Sequence, residues 1–301
     1  MTEFEDPLYS SYVSNCVLNA FSSYSAIMLN SLTIQALRRT SSLPKPLRIL
    51  LQSLAVSDLG VGLLAQPLYI AVLFKWINDV EDNLLNNIFD VITSLFYYAS
   101  FLGLMALSLD RFLSVHLHLR YQELVTHKRV VGLVISVWLL STFLSLILLW
   151  LPSDFVIDLL EITIFGFCFV CVTLFYFRIY RTVRRLEIQM QALHLGQAFQ
   201  NQNDEMKIFL RLKKSAISTF YIYVIFMICY LPDYCSAILN VLQSQPNLFL
   251  DGFDLFTFTL VFANSSFNPV IYCWRVKHIR RSIVGILRNI YRNIFGVHEP
   301  S

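Results

Sequence analysis

Asp110 and Arg111 stand next to each other where a long apolar stretch ends and a polar loop begins. The surrounding sequence is ALSLDRFLSVHLHLRY, residues 106–121. At the end of a membrane span, such a pair can reach water while its neighbours stay inside the protein. Two interpretations are open: a functional site, or a basic residue that only flanks a span. The dipeptide alone favours the second interpretation, a flanking basic residue. Motifs in the other spans are needed to choose between the two.

Asp58 also carries chemistry, because it is the only acid in a largely apolar stretch that extends back to Leu47. If that stretch crosses a membrane, a carboxylate at its middle costs about 2.5–3.5 kcal/mol on insertion scales. Asp58 is therefore expected to face the protein interior and to be paired or functional. Its candidate partners at similar depth are Ser100, Asn264, Ser265 and Asn268. An ordinary hydrogen bond between helices, made by a protonated Asp58, is the alternative.

The elements that must position these residues are membrane-spanning helices. Of the 301 residues, 56% are hydrophobic and 14% charged, which lies outside the range of soluble globular proteins. Seven stretches lack Asp, Glu, Lys and Arg, and most approach the roughly 20 residues of a spanning helix. These are residues 7–37, 59–74, 91–109, 130–153, 162–177, 215–232 and 255–274. Because they are apolar all round, they exclude a β-barrel and predict an all-α bundle of seven transmembrane helices.

Basic residues lie almost entirely on one side of this bundle. Of the 23 Lys and Arg residues, all except Lys75 follow the first, third, fifth or seventh stretch. Since Lys and Arg accumulate on the cytoplasmic side, we expect an extracellular N-terminus, a cytoplasmic C-terminus and a multi-pass protein of the plasma membrane. No cleavable signal peptide is expected, because residues 1–6 are acidic.

The chain divides into three predicted parts. Residues 1–17 form a short extracellular segment, 18–274 the seven-helix domain, and 275–301 an amphipathic helix with a short tail. That helix alternates apolar and basic residues at helical spacing, so we expect it to lie on the lipid bilayer. Residues 181–214 form either a mobile loop or helical extensions of the flanking spans. The six cysteines lie within or beside spans and are expected to be free thiols.

Several motifs, in order and in the appropriate spans, together resemble the rhodopsin-like (class A) family of G-protein-coupled receptors. They are LAVSD in the second span, SLDRF in the third, Trp138 in the fourth, FMICYLP in the sixth and NSSFNPVIY in the seventh. The resemblance covers nearly the whole chain and is nearest in features to the melanocortin, cannabinoid and lysophospholipid receptors. It implies a receptor, not an enzyme, that binds an extracellular ligand between its helices and activates a heterotrimeric G protein at its cytoplasmic face.

The resemblance gives the Asp-Arg pair a role. It implies that Asp110 restrains Arg111 at rest and that the freed Arg111 contacts the G protein. Phe112 replaces the usual tyrosine of this motif. Leu212 stands where many relatives have an acid that pairs with the arginine, which implies a weak resting lock.

The resemblance also gives Asp58 a role in a sodium pocket. It implies that Asp58, Ser100, Asn264 and Asn268, with Asn30 nearby, surround a hydrated sodium ion that stabilises the inactive state. No other metal and no organic cofactor are expected.

Prolines inside the sixth and seventh spans are expected to kink their helices, because proline removes a backbone hydrogen bond. The resemblance implies that the sixth helix swings outward about its kink and that a tyrosine of the seventh helix rotates inward. Kinks with a merely structural role are the alternative. The residues implied as activation switches are Phe101, Cys168, Phe226, Tyr230, Pro232, Asn268, Pro269 and Tyr272, with Tyr230 in place of the usual tryptophan.

Departures from the family narrow the ligand class. Thr93 stands where amine receptors carry a salt-bridging Asp, Phe262 where opsins carry the retinal lysine, and Asn86 where most relatives carry a disulfide cysteine. A typical monoamine site and an opsin are therefore not expected. Asp233, together with Asp90, predicts a negative field that favours a cationic or amide-rich ligand, unless Asp233 points to the outer water. The predicted ligand-site residues are Asp90, Thr93, Tyr97, Asp233 and Tyr234.

A channel or transporter and an intramembrane hydrolase are the alternatives to a receptor. A channel or transporter would be expected to show internal repeats, paired half-helices or charges in several spans. An intramembrane hydrolase would need two carboxylates, a Ser-His pair or a metal set within the membrane, whereas the six histidines lie outside the spans. No nucleic-acid partner is expected.

Overall fold

A computed structural model describes residues 7–40, 43–80, 82–117, 120–151, 154–194, 202–242, 247–275 and 277–295. This part of the chain is helical and contains no strand. The helices are α1 Tyr9–Arg39, α2 Lys45–Gly60, α3 Gln66–Ile77, α4 Asn83–His116, α5 Tyr121–Leu124, α6 His127–Ile147, α7 Asp154–His194, α8 Gln202–Leu242, α9 Leu248–Arg275 and α10 Lys277–Phe295.

The arrangement confirms the prediction of a seven-helix bundle followed by a C-terminal helix. Within the described residues, six helices are long and apolar enough to cross a membrane by length and composition. One of them is the continuous unit Lys45–Ile77, which comprises α2 and α3, and the other five lie in α4, α6, α7, α8 and α9. α1, at 31 residues, is the seventh. It begins inside the segment that we assigned to the N-terminus, and the boundary at residue 17 stays a prediction.

α1 is less apolar than the other spans because it buries polar residues. Asn15, Asn19 and Asn30 are fully buried and recur at helical spacing on one face. The opposite face is apolar, and Phe21 and Tyr24 expose 73% and 67% of their surface. A helix with polar residues towards its neighbours and apolar residues outward suits a lipid surrounding.

A π-helical turn, Val61–Ala65, joins α2 to α3 directly after Asp58. Pro67 follows this turn and cannot donate the backbone hydrogen bond that a regular helix would require. The wider turn accommodates that loss within the span, and such turns are frequent beside functional residues. Nothing in the sequence pattern predicted this turn.

The segment over residues 181–214 is helical where it is described. α7 continues to His194 and α8 begins at Gln202, so the second of the two alternatives, helical extension of the flanking spans, is correct there. Pro232 and Pro269 lie inside α8 and α9. All six cysteines are free thiols.

α10 packs its apolar face against the end of the bundle where α1 ends and α9 ends. Ile279, Ile283 and Ile286 are buried, and Ser282 Oγ donates to the backbone oxygen of Ala36 at 3.4 Å. Leu287, which shares the predicted apolar pattern, is instead 47% exposed, as expected for a helix that also faces lipid.

Candidate functional site

Asp110 and Arg111 form an ion pair near the C-terminal end of α4. The two side chains expose only 4% and 3% of their surface. Nε of Arg111 donates to Oδ2 of Asp110 at 2.9 Å, and Nη2 contacts the same oxygen. Phe112 lies beside the pair and stacks on Phe175, with ring centroids 5.6 Å apart. The structure therefore pairs Asp110 with Arg111, whereas the ring of Phe112 packs on Phe175.

Tyr121 completes the pair, and the sequence analysis missed it. Its hydroxyl donates to Oδ1 of Asp110 at 2.7 Å, so both carboxylate oxygens have partners. Burial, and next the negative charge of Asp110, raise the pKa of Tyr121, which keeps the phenol protonated and donating at physiological pH. The quoted stretch ends on this residue, but its return to Asp110 depends on the fold of the loop.

Replacing Tyr121 by Phe is expected to raise agonist-independent nucleotide exchange on a G protein several-fold. A hydrogen bond to a charged group contributes about 1.5–3 kcal/mol. Without the Tyr121 hydroxyl, the carboxylate of Asp110 is held less firmly in its ion pair with Arg111. Exchange is measured with purified receptor and matched against Tyr291→Phe, an exposed tyrosine on α10. A rise of equal size in both variants would contradict the role of Tyr121.

The side chain of Leu212 lies outside the described part of the chain, so the weak resting lock stays a prediction. A different contact joins the inner ends of α7 and α8. Tyr176 donates from its hydroxyl to the backbone oxygen of Thr219 at 2.9 Å and accepts from Ser108 Oγ at 3.4 Å. Tyr176 thereby links three helices one turn from Arg111. It was missed because nothing in an apolar stretch distinguishes one tyrosine from its neighbours.

Asp58 lies on α2 and is fully buried where this helix faces α9. Its Oδ2 accepts from Nδ2 of Asn268 at 2.9 Å, while its Oδ1 has no protein partner among the described residues. Ser100, which we predicted to lie on Asp58, donates instead to Oγ of Ser57 at 3.3 Å. Ser57 directly precedes Asp58 on α2, so the hydrogen bond from α4 falls one residue away from the candidate contact.

Other buried oxygens of this region also lack a hydrogen-bond partner, as Asp58 Oδ1 does. Within the described residues, no hydrogen bond reaches Asn30 Oδ1, Asn264 Oδ1 or Tyr272 Oη. Buried oxygens without partners are costly and indicate water or an ion. An oxygen-only set with a single carboxylate suits a hard monovalent cation better than a transition metal. The residues therefore fit the sodium ion that the resemblance implies.

The predicted relay residues pack in one aromatic cluster at the centre of the bundle. Phe226 and Tyr230 stack with ring centroids 3.9 Å apart, and Phe101 lies 5.0 Å from Phe226. Cys168 belongs to the same buried core. The cluster also contains Phe165, 4.7 Å from Phe101, which the sequence analysis did not single out.

Asp233 faces the bundle and not the outer water. Its Oδ2 accepts from the Tyr97 hydroxyl on α4 at 3.0 Å, and its Oδ1 accepts from Thr257 Oγ1 on α9 at 3.4 Å. The described residues include no cation paired with it. A second inward carboxylate, Glu161 on α7, accepts from the Tyr98 hydroxyl at 3.1 Å and was missed.

The other predicted ligand residues do not all join Asp233. Tyr234 faces α7, where its hydroxyl donates to the backbone oxygen of Ile162 at 3.3 Å. Gly166 permits this contact, because a Cβ there would lie 2.6 Å from the Tyr234 hydroxyl. Thr93 lies one turn from Tyr97 and is 6% exposed, and its hydroxyl has no protein partner in the described chain.

A cavity of 840 Å³, which we call the outer cavity, opens between α1, α3, α4 and α9 at the end of the bundle opposite Arg111. Asp90 lines it, whereas Asp233 is not part of the lining. The other acids of the described lining are Asp79, Asp82, Asp251 and Asp254, and its one base is Lys75. Lys75 is itself engaged, since its Nζ donates to the backbone oxygen of Asp82 at 2.8 Å.

A bundle of seven helices with a buried acid-base pair at one end and an acidic cavity at the other defines a transmembrane receptor. The family model described as 7 transmembrane receptor (rhodopsin family) matches residues 29–272, and the chain belongs to this family. It is therefore a G-protein-coupled receptor and a multi-pass protein of the plasma membrane. A channel or transporter is not favoured.

Relatives span nearly the whole chain at low identity. The chain is 25% identical to Melanocortin receptor 5 of Homo sapiens over 87% of its own length and 80% of the relative's. It is 26% identical to Melanocortin receptor 5 of Sus scrofa, over 83% and 85%. It is also 26% identical to Adenosine receptor A3 of Ovis aries, over 87% and 86%. The melanocortin matches agree with the predicted branch, but identity alone does not separate it from adenosine receptors.

Proposed function

We propose that this receptor responds to a cationic extracellular ligand whose positive group binds the carboxylate of Asp233. The observation that carries the proposal is the inward position of this carboxylate, which receives hydrogen bonds from Tyr97 and Thr257. These neutral donors orient the carboxylate without neutralising its charge. A cation placed beside it would complete a charge-assisted pair inside the bundle.

The outer cavity supports the same ligand class. Its acids surround a single lysine that is already engaged, so the entrance presents a negative potential. Such a field concentrates cations at the mouth of a cleft and accelerates their association. The relatives are named for melanocortins and for adenosine, and these names do not select one ligand for this chain.

The proposal includes the orientation of the receptor. With the N-terminus outside the cell, the acidic cavity opens to the extracellular space and Arg111 lies at the face that meets the G protein. The distribution of Lys and Arg supports this orientation. An epitope tag before Tyr9 tests it on intact cells, where antibody labelling without permeabilisation is expected.

A compound screen tests the ligand class directly. Cells that express the receptor with a G-protein dissociation reporter are exposed to matched sets of amines, guanidines, neutral amides and carboxylates. Agonists are expected among the cationic sets. Activation by neutral or anionic compounds alone would contradict the proposal.

We further propose that Asp58, Asn268, Asn264 and Asn30 hold a sodium ion that stabilises the resting receptor. The buried oxygens without protein partners support this site. When bound, the ion supplies positive charge for Asp58 and an oxygen-seeking centre for the amides. Asn268 keeps the carboxylate in position through the 2.9 Å hydrogen bond.

Sodium is expected to raise the thermal midpoint of the purified receptor in a concentration-dependent manner, whereas potassium at equal ionic strength is not. An ion that binds only the folded state at ten times its Kd stabilises by about 1.4 kcal/mol, which corresponds to a few degrees. Asp58→Asn is expected to abolish this difference. Asp251→Asn, which changes an exposed acid, is expected to retain it, and a sodium response that survives in Asp58→Asn would exclude the site.

A further inference from the structure

A second cavity, of 510 Å³, opens between α7 and α8 at the end of the bundle that carries Arg111. We call it the α7–α8 groove. Its walls are mainly apolar and aromatic, and they include Phe177, Ile179, Tyr180, Val183, Ile217 and Phe220. Phe177 and Tyr180 are largely exposed, so the groove faces outward from the bundle into the region that lipid occupies.

The polar groups of the groove are hydroxyls that already make hydrogen bonds within the protein. The hydroxyls of Thr173 and Tyr223 lie 2.7 Å apart and join α7 to α8. Deeper in, Tyr176 donates to the backbone oxygen of Thr219. Because these hydroxyls are engaged with each other or with backbone, an occupant of the groove needs no polar group there, and an apolar chain suits it.

The mouth of the groove carries a net positive charge. Lys213 Nζ donates to Oε1 of Glu187 at 2.6 Å, and Arg184 also acts on Glu187 through its charge, so two bases share one acid at the mouth. Arg184 is exposed and lines the groove with both members of that pair. An occupant that combines an apolar chain with an anionic head would match both parts of the groove.

We propose that the α7–α8 groove binds one acyl chain of an anionic membrane lipid, whose headgroup lies against Arg184 and Lys213. The volume lies within the roughly 300–1,000 Å³ of small-molecule sites, and basic residues at the membrane surface attract anionic headgroups. A lipid in this groove contacts both helices and stabilises the conformation in which Tyr176 bonds Thr219, because separating the helices would remove one wall. The inference concerns lipid regulation and does not depend on the proposed ligand.

Photo-crosslinking in nanodiscs tests the groove on the full-length receptor. One preparation contains phosphatidylserine with a photoactivatable group on an acyl chain, and a matched preparation contains phosphatidylcholine with the same group. We expect peptides of α7 and α8 to be labelled at least threefold more by the phosphatidylserine probe. Equal labelling by the two probes would overturn the proposal.

Three substitutions separate the headgroup contact from the acyl-chain contact. Arg184→Gln removes the excess positive charge of the mouth, and Ile217→Trp fills the groove; each is expected to lower the labelling at least threefold. Arg178→Gln, an exposed arginine of α7 outside the groove, is the matched control and is expected to change nothing. Labelling that survives either Arg184→Gln or Ile217→Trp would overturn the proposal.

Thermal unfolding of each variant confirms that it folds, and Val183→Trp replaces Ile217→Trp if the latter does not. The crosslinking needs neither an agonist nor a G protein. A failure of the groove proposal is therefore distinct from a failure of the cationic-ligand proposal, which the compound screen reports.

Discussion

Replacing Asp233 by Asn lowers the potency of a cationic agonist by about 30-fold or more. Removing one partner of a buried charged pair costs about 2–5 kcal/mol, and each 1.4 kcal/mol is a tenfold change in affinity. Asparagine keeps one acceptor oxygen, which can retain the shorter hydrogen bond from Tyr97, while the charge and the longer contact with Thr257 are lost. Concentration–response curves for an agonist from the compound screen measure the shift.

The matched control for Asp233→Asn is Asp251→Asn, which removes the same charge at the exposed outer end of α9. Asp251 acts on the ligand only through the field at the cavity mouth, which salt screens over about 8–10 Å. A shift below threefold is expected. Equal potency in Asp233→Asn and the unmodified receptor would exclude a contact between this carboxylate and the ligand. Equal shifts in both variants would reduce the role of Asp233 to long-range attraction.

The architecture was accessible from the sequence because a membrane imposes strong rules on composition. Charge-free stretches of nearly spanning length located the helices, and the two prolines and Asp58 fell inside them. α1 shows the limit of this approach. Its buried asparagines lower its mean hydropathy, and only the absence of charge over residues 7–37 identified it as a span. A π-helical turn such as Val61–Ala65 is harder still to predict from the sequence, since it depends on how the helix accommodates one proline.

Side-chain partners were less predictable than helices. Asp110 and Arg111 are adjacent in sequence, so their pairing followed from position alone. Tyr121 reaches Asp110 only because the chain folds back after α4, and Tyr176 depends on the distance between α7 and α8. Asp233 and Tyr234 are neighbours on α8, yet they face different helices. Successive residues of a helix point about 100° apart. A modest error in the predicted rotation of a helix therefore assigns the wrong one of two neighbouring residues to a site.

The Arg111→Gln substitution is expected to lower the rate of agonist-stimulated nucleotide exchange at least tenfold, while agonist binding is retained. Arg111 is buried with its charge held by Asp110, and glutamine can still donate a hydrogen bond to that carboxylate but offers a G protein no positive charge. Arg120→Gln removes an exposed arginine of the following loop, and less than a twofold change is expected. Exchange is measured with purified receptor and G protein, and agonist binding is measured separately. Full exchange by Arg111→Gln would show that the guanidinium is not the group that acts on the G protein, and it would return Arg111 to the simpler role of a basic flank.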